Sequence, residues 1–418
     1  MKIEKITARE ILDSRGNPTV AATVYLVDGV MAEASVPSGA STGATEAVEL
    51  RDTAAKRFSG QGVMGAVSNI EKIISPNLVG QDASFQQKID KIICDLDGTP
   101  GKKNLGANAT LAVSLAVARA QATSDDLELF EYLSVKYRGS FGKKFTLPTP
   151  MFNILNGGKH ANNNIDIQET MIVPVGLKTF ADKLRAGSEI YHALKGNLAS
   201  AGYETGLGDE GGFAPNLKDN EAVFHYLQGA ITEAGYSLNK IKISLDIASD
   251  SLYNPRSNTY ILENGKKDLD AQRFIKLITS WVKKYHLFSV EDGLAEGDKK
   301  WPELTKFIAP ALSIGDDLFT THSAKINEGA KNSLANGVII KPNQVGTLTE
   351  TFQAIKAAQK NKFKVIVSHR SGETEDSFIA DLAVAVGADF IKSGAPARSE
   401  RLAKYNRLLR IEEMVEKR

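Results

Sequence analysis

Gly337-Val-Ile-Ile-Lys-Pro-Asn343 is an apolar run that stops at a charged side chain, Lys341. Other apolar runs in the second half of the chain end in the same way, at Asp246, Glu291, Asp316, His369-Arg370 and Lys392. Successive ends lie about 23 to 45 residues apart, close to the length of one strand and one helix. This spacing predicts an α/β fold with a parallel barrel of the (β/α)8 TIM type. Reactive groups of such barrels sit at the C-terminal strand ends, so we expect these side chains to meet at one mouth.

The first third of the chain has a different pattern. Strand-like alternation over Thr19–Val27 is followed by helical segments, among them residues 108–122. A stretch rich in Gly, Ser and Pro, residues 138–150, then precedes the strand-helix repeat. We therefore expect a small N-terminal α+β capping domain over residues 1–136. A C-terminal α/β barrel over residues 137–418 would carry the metal and catalytic groups.

Composition excludes several classes of protein. The 418 residues carry a net charge of +1, which provides no basic field for nucleic acid, so an anionic substrate must be bound by local groups. The single cysteine, Cys94, cannot form an internal disulfide and indicates a reducing compartment. The first residues are too charged for a signal peptide, and no apolar run reaches the roughly 18 residues of a membrane helix. We expect a cytoplasmic protein with no membrane span.

Three carboxylates among the predicted strand ends point to a metal. Asp246, Glu291 and Asp316 offer hard oxygen ligands with no Cys or His at corresponding positions, which favours Mg²⁺ over zinc. Lys341 follows at the next strand end, and a metal and a second ammonium, Lys392, would both disfavour its protonated form. Lys341 could then act as a general base. Proton abstraction next to a carboxylate gives an aci-carboxylate, which a divalent metal stabilises.

Two further segments supply complementary groups. Glu210 lies in Gly208-Asp-Glu-Gly-Gly-Phe213, where glycines allow tight backbone conformations, and a raised pKa would let it act as the general acid. Glu169 is a second isolated glutamate in the middle of the chain. Ser38-Gly-Ala-Ser-Thr-Gly43 is a small, hydroxyl-rich loop of the kind that closes over phosphate and adds an oxygen ligand to a second Mg²⁺.

Several long motifs, in order along nearly the whole chain, resemble those of the enolase family. They are Ile11-Leu-Asp-Ser-Arg-Gly-Asn-Pro-Thr19, Ser38–Gly43, Asn156-Gly-Gly-Lys-His160, Gly208–Asn216, Ser368-His-Arg-Ser-Gly-Glu-Thr-Glu-Asp376 and Arg398-Ser-Glu-Arg401. The resemblance implies a hydro-lyase, phosphopyruvate hydratase, that reversibly dehydrates 2-phospho-D-glycerate to phosphoenolpyruvate in glycolysis and gluconeogenesis. It also implies a barrel that begins ββαα, with its second strand antiparallel.

The resemblance also implies roles for individual residues. Lys341 would be the base, and Glu210, assisted by Glu169, would handle the leaving hydroxide. Two Mg²⁺ ions would be expected, the first on Asp246, Glu291 and Asp316, the second arriving with substrate and bound by Ser41. Substrate contacts would come from His160, Gln168, Glu169, His369, Arg370, Ser371 and Lys392. Homodimers or octamers are expected, and plasminogen or matrix proteins are reported partners of family members displayed on the cell surface or secreted without a signal peptide.

The chain departs from the family pattern at several positions. Pro342 follows the base lysine, Thr170 follows Glu169, and Thr321-His322 replaces a usual Thr-Asn, which indicates a diverged paralogue. Glu291-Asp-Gly293 and the short N-terminus resemble the bacterial type. Pro342 biases Lys341 toward extended backbone. Alternating charges from Arg401 onward predict a solvated face of a terminal helix. Two other functions stay open: racemisation or cycloisomerisation of another carboxylate, which would need neither Ser41 nor Arg370-Ser371, and noncatalytic surface binding.

Overall fold

A computed structural model describes residues 1–39, 43, 45–140 and 144–417. The first part of the chain folds into an antiparallel sheet covered by helices, with strand order β1-β2-β3. Its elements are β1 (Ile3–Leu12), β2 (Pro18–Leu26), β3 (Met31–Ser35), α1 (Met64–Asn69), α2 (Ser75–Leu78), α3 (Gln86–Asp97), α4 (Ala107–Ser124) and α5 (Leu129–Arg138). Helix α4 is almost wholly buried, because it packs against β2 and β3 on one side and the barrel on another.

The remainder forms the barrel and its outer helices. Its elements are β4 (Thr149–Asn156), β5 (Glu169–Val173), α6 (Phe180–Ser200), α7 (Ala222–Glu233), β6 (Lys242–Asp246), β7 (Tyr253–Asn254), β8 (Thr259–Leu262), β9 (Lys267–Leu269), α8 (Ala271–Tyr285), β10 (Ser289–Glu291), α9 (Trp301–Ile308), β11 (Leu312–Gly315), α10 (Ser323–Lys331), β12 (Gly337–Ile340), α11 (Leu348–Lys360), β13 (Lys364–Ser368), α12 (Phe378–Val386), β14 (Phe390–Lys392) and α13 (Ser399–Glu416). Strands β7 to β9 form a separate small sheet.

Eight strands within the described residues close the barrel in the order β10-β11-β12-β13-β14-β4-β5-β6. Strand β5 runs antiparallel to both β4 and β6, and all other neighbouring pairs in the barrel are parallel. The chain order β4-β5-α6-α7 is the expected ββαα beginning. The predicted fold class, a small α+β domain followed by a modified TIM-type barrel, is therefore confirmed. The boundary at residues 136/137 stays a prediction; helix α5 spans it.

Alternation along the strands explains why charged side chains face the mouth. Ile314, Ile339, Ile366 and Phe390 belong to the cluster that fills the barrel interior, whereas Val338 and Val365 pack into the outer core. Side chains two residues apart lie on the same face of a strand. Asp316, Lys341, Ser368 and Lys392 each follow an interior residue by two positions, so they continue the inward-facing row where the apolar filling ends.

The two domains meet beside this mouth. Ser38 and Gly372 form an antiparallel bridge with mutual backbone hydrogen bonds of 2.7 and 2.9 Å. Arg119 of α4 donates to the two carboxylate oxygens of Asp376 at 2.8 and 2.5 Å. Cys94 on α3 is a free thiol and only half-buried. No helix in the described part of the chain is both long and apolar enough to cross a bilayer.

Candidate active site

One polar pocket at the C-terminal strand ends gathers most of the predicted site residues. It is lined by His160, Gln168, Glu169, Glu210, Asp246, Asp316, Lys341, His369, Arg370, Ser371 and Lys392, together with Asp292 and Asp317. Glu291 is not among the lining residues, but its carboxylate accepts a hydrogen bond from Lys392, which is. Ser41, predicted to bind the second ion, lies outside the described residues. Thus all the predicted site residues that the structure describes come together.

Lys392 is the centre of a buried carboxylate cluster. Its Nζ lies 2.9 Å from Oε1 of Glu291, 3.0 Å from Oε2 of Glu169 and 3.3 Å from Oδ2 of Asp246. Burial lowers the pKa of Lys392, but the three carboxylates outweigh burial and raise the pKa well above its ordinary value. The ammonium therefore stays charged and partly neutralises this part of the pocket.

Lys341 stands at the end of β12 with its ammonium on Oδ2 of Asp316. Burial lowers the pKa of Lys341, but Asp316 outweighs burial, so the pKa lies above its ordinary value. Neighbouring positive charge was expected to lower this pKa, but the net shift in this pocket is upward. Arg370 and Lys392 do act in the expected direction, but the adjacent carboxylate of Asp316 is stronger.

The backbone of Lys341 is extended, with φ −125° and ψ 106°, as the following proline predicts. Its N–H donates to Oγ1 of Thr321 at 2.9 Å, and Thr321 has a φ of 58°. The same hydroxyl donates to Gln344, whose amide reaches Oδ1 of Asp316 at 3.1 Å. Thr321 is β-branched, and such residues rarely take a positive φ. The hydrogen bonds of Thr321 and Gln344 hold the backbone of Lys341 and the carboxylate of Asp316 in place.

Glu169 and Glu210 form a second pair on either side of His160. Nδ1 of His160 lies 3.7 Å from Oε1 of Glu169 and 3.6 Å from Oε1 of Glu210. Burial, then the charge of Glu210, raises the pKa of Glu169 well above its ordinary value. Burial also raises the pKa of Glu210, but His369, His160 and Arg401 outweigh burial and lower it well below its ordinary value.

The two pKa shifts are therefore opposite in direction, so Glu169 takes up a proton more readily than Glu210 does. A raised pKa was expected for Glu210, and this expectation is wrong: glycines shape its loop, but the two imidazoles and the guanidinium set its charge.

The donor set of the pocket fits a divalent cation. Among the described residues, two groups of three have ligand atoms within 4.8 Å of one another: Asp292 with Asp316 and Asp317, and His160 with Glu169 and Glu210. The predicted set of Asp246, Glu291 and Asp316 is not one of these groups. Lys392 contacts the first two carboxylates, and Lys341 contacts the third. The ammonium groups of both lysines are surrounded by carboxylates, which favour positive charge. A hard divalent cation has the same requirement for carboxylate oxygens.

Asp292 and Asp317 were not singled out from the sequence. The carboxylate of Asp292 accepts hydrogen bonds from the backbone N–H groups of Asp316 and Asp317, at 2.9 Å each. Asp292 itself has a φ of 41°. Burial and the charge of Asp316 raise the pKa of Asp317 to about 7. The repeated acid in Gly315-Asp-Asp317 was the available signal, but sequence alone does not tell which carboxylate of the pair faces a ligand.

Arg370 and Ser371 complete the pocket on the side facing the N-terminal domain. Arg370 donates to Oε2 of Glu46 at 2.9 Å and to Oδ1 of Asn343 at 3.0 Å. Ser371 Oγ and Gln168 Oε1 are buried and have no hydrogen-bond partner among the described residues. Buried polar atoms are normally paired, so these two atoms are suited to contact a bound polar molecule.

Comparison with protein families agrees with this geometry. Residues 3–133 match the model described as "Enolase, N-terminal domain". Residues 144–418 match the model described as "Enolase, C-terminal TIM barrel domain". Together the two matches span nearly the whole chain, with the same order of a small domain and a barrel that the structure has. The chain therefore belongs to the enolase family.

Proposed function

We propose that this member of the family is an enolase in activity, a hydro-lyase that converts 2-phospho-D-glycerate to phosphoenolpyruvate and back. The observation that carries the proposal is the shared pocket: Lys341, the acid pair Glu169 and Glu210, and the anion-binding groups Arg370 and Ser371 all line it. A base, an acid and a phosphate site are the three parts that this elimination needs.

The reaction begins at the carbon next to the substrate carboxylate. Neutral Lys341 accepts the proton from that carbon and becomes an ammonium. Asp316 pairs with the charged Lys341 in the resting pocket and raises its pKa. Lys341 therefore becomes a base only when Asp316 no longer pairs with its ammonium. Arg370 and Lys392 then favour the neutral amine. A lysine or histidine base beside Mg²⁺ is the general arrangement in the enolase superfamily.

The hydroxyl leaves from the neighbouring carbon. The raised pKa of Glu169 favours its protonated form and the lowered pKa of Glu210 its ionised form, so Glu169 would carry the proton that the pair donates. The pair donates the proton to the departing hydroxide, so that water leaves. The base is left protonated and the acid pair deprotonated, and the reverse reaction uses each group in its other state.

The remaining groups orient the substrate. Arg370 and Ser371 would bind phosphate, and Lys392, His160, Gln168 and His369 would contact carboxylate or hydroxyl oxygens. Asp246, Glu291 and Asp316 would hold the first Mg²⁺, and the hydroxyl of Ser41 the second, which arrives with substrate. Bound Mg²⁺ supplies positive charge that stabilises the substrate carboxylate after proton loss.

The test is phosphoenolpyruvate formation, followed by ultraviolet absorbance, from 2-phosphoglycerate with Mg²⁺ and then with chelator. Turnover should require Mg²⁺ and disappear in Lys341→Ala. Lys360→Ala, which removes an exposed lysine at the end of α11, should keep wild-type turnover. Absence of turnover in folded wild-type protein with Mg²⁺ would contradict the proposal. It would favour another carboxylate substrate, for which racemisation or cycloisomerisation should be assayed next.

Assembly and location follow from the proposal only as expectations. A glycolytic role in the cytoplasm, a homodimer or octamer, and binding of plasminogen or matrix proteins at the cell surface stay predictions. A binding assay with Lys341→Ala protein separates the surface role from catalysis, because an independent surface function should survive the loss of the base.

A further inference from the structure

Arg401 lies at the start of α13, where the sequence predicts a solvated charged face, but its side chain is wholly buried. Its Nη1 donates to Nδ1 of His369 at 2.6 Å and to the carbonyl of Arg370 at 2.7 Å. Its Nη2 donates to the carbonyl of Ser371 at 2.6 Å and to that of Asp209 at 3.2 Å. One guanidinium therefore joins the loop that carries Glu210 to the loop that carries His369, Arg370 and Ser371.

The contact with His369 determines where the imidazole carries its hydrogen. A guanidinium has N–H donors and no acceptor, and it stays protonated in proteins. Nδ1 of His369 must therefore present its lone pair to Arg401. The hydrogen of the neutral ring then sits on Nε2.

Nε2 of His369 faces the acid pair. It lies 3.3 Å from Oε2 of Glu210, and the same oxygen accepts from Nδ2 of Asn153 at 2.8 Å. An imidazole with its hydrogen on Nε2 presents the positive end of the N–H bond to this carboxylate, which favours the ionised form. The opposite tautomer would place two N–H groups face to face at Nδ1 and a lone pair against the carboxylate at Nε2.

We propose that Arg401 is a positioning residue that fixes His369 in the Nε2–H tautomer, so that this N–H lies toward Glu210, with Nε2 3.3 Å from Oε2. The N–H that lies toward Glu210 favours the ionised form of that carboxylate. The charged groups that face His369 are Glu210, Arg401 and Lys392. Burial, supported by Arg401 and Lys392 and opposed by Glu210, lowers the pKa of His369 to about 3. The tautomer stands on geometry alone, whereas its consequence for turnover rests on the proposed function.

The tautomer can be measured without turnover. Protein with isotope-labelled histidine is studied by NMR, which distinguishes a ring nitrogen that carries hydrogen from one that does not. The His369 signals are identified by their loss in His369→Gln. The wild type should show Nε2–H for His369. Arg401→Met, which removes the donors, should give a tautomer mixture, and Arg401→Lys, a donor without an acceptor, should restore Nε2–H.

Arg407→Met is the matched control. Arg407 lies on the same helix and is paired with Asp381 at 2.6 Å and Glu128 at 2.8 Å, so its loss also removes a partly buried guanidinium. It should leave the His369 tautomer unchanged. A His369 ring with hydrogen on Nδ1 in the wild type would overturn the proposal, and so would an unchanged Nε2–H ring in folded Arg401→Met. The wild-type and Arg401→Lys measurements decide the question if Arg401→Met does not fold.

Turnover gives the second readout. If Arg401 acted only as a structural tie, Arg401→Lys and Arg401→Met would lower activity in step with stability and keep the shape of the pH profile. We expect Arg401→Met to lower kcat at least tenfold and to shift the profile, with Arg401→Lys closer to wild type. Wild-type protein that shows the Nε2–H ring but no turnover would refute the proposed function and leave the tautomer assignment standing.

Discussion

The carboxylate of Glu46 pairs with the guanidinium of Arg370 at 2.9 Å, although the two residues come from different domains. The side chains are 6% and 4% exposed. Oε1 of Glu46 also accepts from the backbone N–H of Gly43 at 3.0 Å and from the amide of Gln344 at 3.2 Å. Glu46 thus joins the segment after the hydroxyl-rich loop to the residue proposed to bind phosphate.

Glu46→Gln should lower the free energy of unfolding by about 3 kcal/mol, because removing one partner leaves a buried charge poorly compensated. Urea unfolding measures the change. Asp95→Asn is the control: it removes a carboxylate from the exposed pair with Lys91, where solvent screens the charges, and should have a much smaller effect. Equal stability of the two variants would show that the Glu46–Arg370 pair does not hold the domains together.

Lys392→Met should make Mg²⁺ a stronger stabiliser of the fold. The substitution removes the ammonium from Glu169, Asp246 and Glu291, so the metal-free variant should melt below wild type because the carboxylates repel one another. A cation that binds the native state alone raises the melting temperature, and less competition from Lys392 should enlarge that rise. Melting temperatures in chelator and in Mg²⁺ measure it.

Lys404→Met separates this effect from the loss of any buried lysine. Lys404 is paired with Glu373 at 2.8 Å, away from the carboxylate cluster. Its variant should be destabilised equally in chelator and in Mg²⁺. The same Mg²⁺-induced shift in Lys392→Met and wild type would argue against competition between ammonium and metal.

Strand ends made the barrel and the charged side chains at its mouth predictable, because one spacing and one alternation rule place them together. His160, Gln168 and Ser371 came from the family resemblance. Lys341, Asp316 and Lys392 needed no long-range information beyond the order of the strands. The antiparallel β5 came from the family resemblance, since nothing in Glu169–Val173 as a short apolar strand indicates its direction.

Charge states were not predictable in the same way. The pKa directions of Lys341 and Glu210 depend on neighbours brought by other elements, namely Asp316, His369, His160 and Arg401. Glu46 and Arg401 carry no apolar run or metal-ligand spacing that would single them out. Arg401 even looked solvated, because its charged neighbours on α13 hide the fact that this position faces the barrel.

His369 should make stability depend on pH in a defined window. Burial, opposed by Glu210 and supported by Arg401, lowers its pKa from 6.5 to about 3, so below 6.5 the unfolded chain binds a proton that the folded chain does not. This contribution to stability is complete above 6.5 and is lost progressively as the pH falls toward 3. The loss amounts to at most about 1.4 kcal/mol per pH unit.

Urea unfolding at about pH 7 and about pH 5 tests this, because His369 should titrate in the unfolded chain over that interval. His369→Gln should lose less stability between the two values than wild type does. His225→Gln, which replaces an exposed histidine on α7, should keep the wild-type dependence. Identical pH dependence in His369→Gln and wild type would mean that the imidazole is not held neutral.

Gly372→Ala should loosen the contact between the domains. A Cβ at this position would lie 2.7 Å from Nη2 of Arg15 and 2.8 Å from the carbonyl of Ser38, closer than such atoms approach without movement. The nearest atom to this Cβ would be Oδ2 of Asp13. Because Ser38 is bridged to Gly372 through the backbone, relief of this crowding has to separate the bridge or displace Asp13 or Arg15. Overpacking of this kind costs about 1 to 3 kcal/mol of the free energy of unfolding.

Urea unfolding should show that loss in Gly372→Ala, whereas Gly206→Ala, whose added Cβ meets no atom within 4 Å, should unfold like wild type. Wild-type stability of Gly372→Ala would contradict this prediction, because it would show that the contact around Gly372 accommodates a methyl group without loss of the free energy of unfolding.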